Sequence, residues 1–188
     1  METTRFSLLA RVRDPDNSRA WSEFDRIYRP ILFRFVLARG VRPGDAEDIV
    51  QRCMLTVAQR IGRFAYDPRR GRFRSWLAKL AESRVRDFLR SARHVPAVGE
   101  QLDRLPAPDP SPETTFERIW EEEHLRYCLE ELRSELDATS YEAFRDYALL
   151  ERPAAEVCRD FGLQPAQLYK LKWRVTRAIA EKMKDLGC

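Results

Sequence analysis

The chain has 188 residues, 44% hydrophobic, 11% aromatic and 34% charged, with a formal net charge of +4. That apolar content can build a packed core and excludes wholesale disorder, and no apolar run approaches the ~20 residues of a bilayer span. The small net charge hides strong local fields: residues 1–98 hold 21 basic and 11 acidic side chains, 99–117 hold 1 and 5, 118–156 hold 5 and 11, and 157–188 hold 7 and 3. Basic segments of this kind point to nucleic acid or acidic surfaces as partners.

In chain order, the residues after Met1 carry no apolar stretch resembling a secretory signal. The first helix is predicted where Ala20, Trp21, Phe24, Ile27, Tyr28, Ile31, Leu32, Phe35 and Val36 recur at spacings of three and four, which marks one apolar face. Pro30 removes a backbone donor inside that pattern, so a kink or short break is expected there. Gly40 and the stretch Arg42-Pro43-Gly44-Asp45 end this helix, with Asp45 the expected N-cap of the next. The next helix has apolar positions 46, 49, 50, 53, 54, 57, 58 and 61. A third is predicted from about Phe73 to Ala92, with Phe73, Trp76, Leu77, Leu80, Ala81, Phe88 and Leu89 inward. No convincing β alternation appears, so residues 1–93 read as an all-α bundle.

Residues 94–112 break the rhythm with prolines at 96, 106, 108, 110 and 112 and scattered acids, the signature of a flexible linker. Fully extended, it reaches up to ~60 Å. A second all-α module, 113–188, opens near Ser111-Pro112-Glu113, since proline is well tolerated at a helix start. Phe116, Ile119, Trp120, Cys128, Leu129, Leu132 and Leu136 stripe one helix, and Tyr141, Phe144, Tyr147 and Ala148 another. A short helix from Pro153 to Phe161, a turn at Gly162-Leu163-Gln164 and a long helix opening at Pro165 close the chain.

That closing pair has the form of a helix-turn-helix DNA reader. Leu168, Leu171, Val175, Ile179 and Met183 face inward. Lys170, Trp173, Arg174 and Arg177, flanked by Tyr169, form the opposite face, suited to phosphates and base edges. The plainer reading is a solvated basic face on an αα-hairpin. A second signal is the run Ile61 to Trp76, where Arg63, Arg69, Arg70, Arg72 and Arg74 alternate with Phe64, Tyr66, Phe73 and Trp76. Cations with aromatic platforms suit single-stranded nucleic acid. For Phe73 and Trp76 a purely core role is the stronger reading; for Tyr66 and the loop arginines it is weaker. The following helix adds Lys79, Arg86, Arg90 and Arg93 on a shared face. A third signal is the acidic start Asp45-Ala46-Glu47-Asp48, explained most simply by the helix dipole and more interestingly by partner docking.

Other chemistry is poorly supported. Glu47 and Asp48 are adjacent and point apart on a helix, with no His or Cys to complete a site. His94 and His124 lack nearby ligands. The four cysteines, at 53, 128, 158 and 188, show no CxxC spacing, so a reducing, cytoplasmic setting is the default, with the first three read as core thiols. With 7 glycines and no GxGxxG or P-loop, Gly-rich phosphate binding is excluded. No catalytic residue, metal or cofactor is expected.

Taken in order, Asp45-Ala46-Glu47-Asp48-Ile49-Val50-Gln51, Phe73-Arg74-Ser75-Trp76-Leu77 and Arg84-Val85-Arg86-Asp87-Phe88-Leu89-Arg90 resemble region 2 of extracytoplasmic-function (ECF) sigma factors. The terminal helix-turn-helix resembles region 4 of the same sigma-70 family. The resemblance covers residues 20–93 and 115–186. It implies a non-enzymatic RNA polymerase subunit that docks core polymerase (β′ and β) through Asp45, Glu47, Asp48, Gln51 and Arg52. Recognition and melting of the −10 element would fall to Arg63, Phe64, Tyr66, Arg69, Arg70, Arg74, Lys79, Ser83, Arg86, Asp87 and Arg90. The −35 element would fall to Gln167, Tyr169, Lys170, Trp173, Arg174 and Arg177. The acidic linker would thread near the polymerase active-site channel. An anti-sigma factor or another regulatory protein is a further partner the resemblance admits; membrane insertion is not. Two departures stand out: Arg52 where the family often has an acid, and Trp173 where one subgroup has a small Ser. The competing readings are a helix-turn-helix regulator that never joins polymerase and, further off, a metal-dependent nuclease using Glu47 and Asp48.

Overall fold

The computed structural model describes residues 4–63, 72–92 and 111–186, and every regular element among them is helical. The chain divides into two compact units, Met1–Glu123 and His124–Cys188.

The first unit begins with a helix not anticipated from the sequence, α1 (Thr4–Arg11), short but seated by Leu8 and Leu9, with Val12 buried just after it. In α2 (Ser18–Ala38), Asn17 caps the start by accepting the Ala20 amide at 3.0 Å. Of the kink or short break expected at Pro30, the break is absent: α2 is continuous through it. Proline deletes one hydrogen bond, and the flanking Ile27, Tyr28, Ile31 and Leu32 are all buried, which holds the helix together across the gap. The helix ends at Gly40, whose φ of 86° is a left-handed turn open to glycine.

The predicted cap of the next helix is also corrected. The helix α3 (Pro43–Arg60) starts two residues before Asp45, with extended Arg42 as N-cap and Pro43 in the first turn. Proline favours that position and forces the residue before it to be extended. Asp45 instead lies inside the first turn, where its charge complements the helix dipole. A 3₁₀ turn, Ile61–Arg63, follows.

The helix α4 (Arg72–Ala92) packs on α2 and α3 through Phe73, Leu77, Ala81 and Val85, all buried. Expected core positions Trp76, Leu80, Phe88 and Leu89 are only half-buried. Thr56 of α3 is buried yet satisfied: its Oγ1 donates to the Arg52 carbonyl at 2.8 Å and accepts from Arg84 at 3.2 Å. Beside Arg84, the buried Cys53 thiol is pushed up to about 12 by desolvation, which outweighs the lowering effect of that cation. It is a core thiol with little thiolate to offer.

The linker reading, residues 94–112, falls almost wholly outside the described residues. From Ser111 the chain is defined again: Ser111 Oγ accepts the Thr114 amide at 3.2 Å and caps α5 (Pro112–Glu135). The sequence places this whole helix in the second module, whereas the unit boundary falls inside it, after Glu123. Its first half is seated in the first unit by rings: Phe116 lies 5.2 Å from Phe35 and Trp120 5.6 Å from Tyr28, centroid to centroid. Arg34 adds charge, with Nη1 to Glu123 and Nη2 to Glu122 at 2.7 Å each.

The second unit continues from α5 into α6 (Ala138–Phe144), capped by Asp137, which accepts the Ser140 amide at 2.9 Å. That amide is the leading reason the Asp137 carboxyl is held below its ordinary value. A π-helical turn, Arg145–Leu149, then α7 (Ala154–Phe161) and α8 (Pro165–Leu186) complete it. Their core gathers Leu132, Ala143, Phe144, Val157, Cys158, Leu168, Leu171 and Val175.

Candidate nucleic-acid interface

In the second unit, α7 ends at Gly162 with φ of 65°, and the Leu163 amide returns to the Cys158 carbonyl at 2.9 Å. A Cβ at Gly162 would meet nothing within 4 Å, so glycine serves the backbone there and not the packing. At the start of α8 the Gln164 amide donates to Gln167 Oε1 at 2.8 Å, the reciprocal half of a capping box. Gln167, a candidate −35 residue, therefore has one lone pair of its carbonyl engaged, with its amide donors left to offer.

Burial of Leu168, Leu171 and Val175 turns the other side of α8 outward. Tyr169, Lys170, Trp173, Arg174 and Arg177 are all exposed, Trp173 at 62%. The structure separates them into two edges. Lys170 and Arg174 follow Gln167 along one side, and Arg174 stands close enough to Asp137 to help depress its carboxyl. Along the other, Tyr169, Trp173, Thr176 and Ala180 wall a shallow groove with Tyr147 of the π-turn. Lys172 Nζ sits 4.9 Å from the Tyr147 centroid, and the Arg177 guanidinium carbon 5.5 Å from that of Trp173. An exposed pair of this kind contributes about 0.5–1 kcal/mol. Tyr147 is a member of this groove that the sequence reading assigned only to the core.

In the first unit, Lys79, Ser83, Arg86, Asp87 and Arg90 are exposed on α4, while Arg74 is half-buried and bonded to Glu117 at 3.1 Å. Arg63 is exposed in the 3₁₀ turn. Phe64, Tyr66, Arg69 and Arg70 lie outside the described residues. On α3, Asp45, Glu47, Asp48, Gln51 and Arg52 are exposed. Glu47 meets Arg29 at 3.3 Å, and Arg29 also binds Asp25 at 2.9 Å, its own proton held more tightly chiefly by Asp25.

The sequence reading missed Leu55, 53% exposed on the same polar face of α3. The signal was available: it stands seven residues from Asp48, four from Gln51 and three from Arg52, off the buried stripe. Among the described residues no group of three His, Cys, Asp or Glu could hold a metal, and no helix is long and apolar enough to cross a membrane.

Residues 24–95 match the model of sigma-70 region 2. A curated relative, the probable RNA polymerase sigma factor RfaY of Xanthomonas campestris pv. campestris, is 33% identical over 143 residues. A second, the ECF RNA polymerase sigma factor SigE of Mycolicibacterium smegmatis, is 28% identical over 99 residues. Residues 24–95 are thus a sigma-70 region 2 segment, and the chain is similar to RNA polymerase sigma factors, one of them of ECF type. These alignments take in 75% and 52% of the chain, and they span only 34% and 37% of the two relatives' own length. A solved structure described as CnrH in complex with the cytosolic domain of CnrY matches at 18% identity, with a TM-score of 0.40, over 96% of this chain and 97% of that one. The region 2 match takes in α3 and α4, with both of their polar faces.

Proposed function

We propose that this chain is a promoter-specificity subunit of the sigma-70 family: it binds core RNA polymerase and directs initiation at chosen promoters. The observation that carries the reading is the region 2 match on one unit, joined in the same chain to a helix–glycine turn–helix with an exposed basic and aromatic face. Asp45, Glu47, Asp48, Gln51 and Arg52, with Leu55 among them, would dock polymerase through α3. The α4 cations and the aromatic-basic segment 63–70 would engage and help separate −10 DNA, with the rings accepting unstacked bases. The outer face of α8 would enter the major groove at −35. The chemistry of transcription stays with polymerase, and none is assigned to this chain. A bacterial cytoplasmic setting and an anti-sigma partner belong to the same proposal.

Run-off transcription with core polymerase, with and without the chain, on a promoter library tests it. Specific start sites that depend on the chain are the expected result. No gain in specific initiation, together with no co-purification with core, overturns the proposal. A plain helix-turn-helix regulator would bind duplex DNA and leave core polymerase alone.

A further inference from the structure

The α4 cations and the acidic first turns of α5 face each other within the first unit. Burial of Phe116, Ile119 and Trp120 sets the position of α5. The seat is reinforced by the two 2.7 Å bonds from Arg34 to Glu122 and to Glu123, the latter buried. With the helix so held, Glu113 and Glu117 line one wall of a cleft whose other wall carries Arg74, Lys79 and Arg86. Glu117 already holds Arg74 at 3.1 Å. Arg86 has a second acid nearby, Glu82 on its own helix at 3.7 Å.

We infer that the first two turns of α5 are an autoinhibitory screen over the nucleic-acid face of α4. This rests on the reading of α4 as the −10 surface and deepens it. A phosphate approaching Arg74 must displace the Glu117 carboxylate, and one approaching Lys79 or Arg86 meets the field of Glu113 and Glu117. Both effects lower the affinity of the free chain for nucleic acid, the first by direct competition at Arg74 and the second through the field at Lys79 and Arg86. The screen is held by apolar packing and by the Arg34 ion pairs, so a partner that lifts the start of α5 releases the α4 cations together. Its strength falls with salt, because the screening length shrinks from about 10 Å at 0.1 M to about 3 Å at 1 M.

The test is binding of a fluorescein-labelled single-stranded DNA oligonucleotide to the full chain, followed by anisotropy at ~0.1 M salt. Glu113→Gln with Glu117→Gln is expected to tighten binding at least threefold, the gain shrinking as salt rises. Glu130→Gln with Glu142→Gln makes the same charge change on exposed acids of the second unit and should leave affinity unaltered. Lys79→Ala with Arg86→Ala should weaken binding. No gain in the first double variant, or an equal gain in both acidic double variants, overturns the screen. If Lys79→Ala with Arg86→Ala weakens binding while the first pair changes nothing, the screen alone falls and the α4 reading stands. If the lysine–arginine variant binds like the parent, the α4 reading falls and takes the screen with it. Matching thermal melts by circular dichroism keep the comparison to folded chains.

Discussion

Asp146 shows how much a single carboxylate can organise. It is buried, and its two oxygens take Arg145 and Arg152 at 2.7 Å each, while its backbone carbonyl accepts the Arg152 amide at 3.0 Å. Arg152 reaches on to Asp160 of α7 at 2.6 Å, so one arginine ties the π-turn to the helix-turn-helix. Between them Glu151 holds a φ of 53°, a left-handed backbone that a non-glycine residue adopts only when its surroundings enforce it. The hydrogen bonds from Arg145, then those from Arg152, hold the Asp146 carboxyl below its ordinary value. A depressed folded pKa contributes stability that is fully present above the unfolded value of ~3.9 and is lost as pH falls through the folded one. Asp146→Asn should therefore lower the melting temperature near neutral pH, and by progressively less below pH ~4. Circular dichroism melts across that range check it; a constant difference between the two proteins would refute the charge argument. None of this was visible in the sequence, because the partners are one and six residues away and meet only through the π-turn.

At the scale of the element, α8 divides its labour between two edges. The Lys170–Arg174 edge follows the capped start of the helix, while Trp173 lies beside Arg177 at the Tyr147 groove. Lys170→Ala and Arg174→Ala should each weaken binding to −35 duplex DNA and reduce the salt slope by about 1 if they meet phosphates. Trp173→Ala should change affinity and leave the slope alone, since it removes no charge. Anisotropy titrations at several salt concentrations separate the two; equal affinity and slope in both basic variants would remove α8 as the reader. The helix itself was legible because Leu168, Leu171 and Val175 repeat at helical spacing, and Gly162 marks its turn. The errors elsewhere lay at local signals. Asp45 resembles an N-cap, yet Pro43, two residues earlier, favours the first helical turn and wins. Pro30 resembles a break, yet burial on both sides of it carries α2 through. The short α1 was missed because eight residues show too few apolar repeats to stand out.

At the scale of the whole chain, the unexpected feature is that α5 serves both units. Phe116, Ile119 and Trp120 are buried in the first unit, each adding about 1.5–3 kcal/mol by the usual transfer values. A fragment of residues 1–123 should therefore resist urea better than one of residues 1–92 by several kcal/mol. Equal midpoints and slopes for the two would show that the first half of α5 adds nothing to the first unit. The same seating sets acids against the α4 cations, so the segmental charges of the sequence become opposed surfaces at that point. By itself the sequence determined the helical class, the buried centres of the apolar stripes, the helix-turn-helix and the region 2 motifs. All of these are local patterns, written within a few turns of one helix. Trp76, Leu80, Phe88 and Leu89 of α4, by contrast, are half-buried and Ala58 of α3 is exposed. Only the tertiary structure decided that Glu117 would meet Arg74, that Arg34 would hold Glu122 and Glu123, and that α5 would lend its first half to the first unit. Those partners stand 43, 88 and 89 residues apart, and which faces meet over such separations depends on the shape of the packed rings between them. Periodicity can say that Phe116 and Trp120 will be buried; it cannot say against which helix.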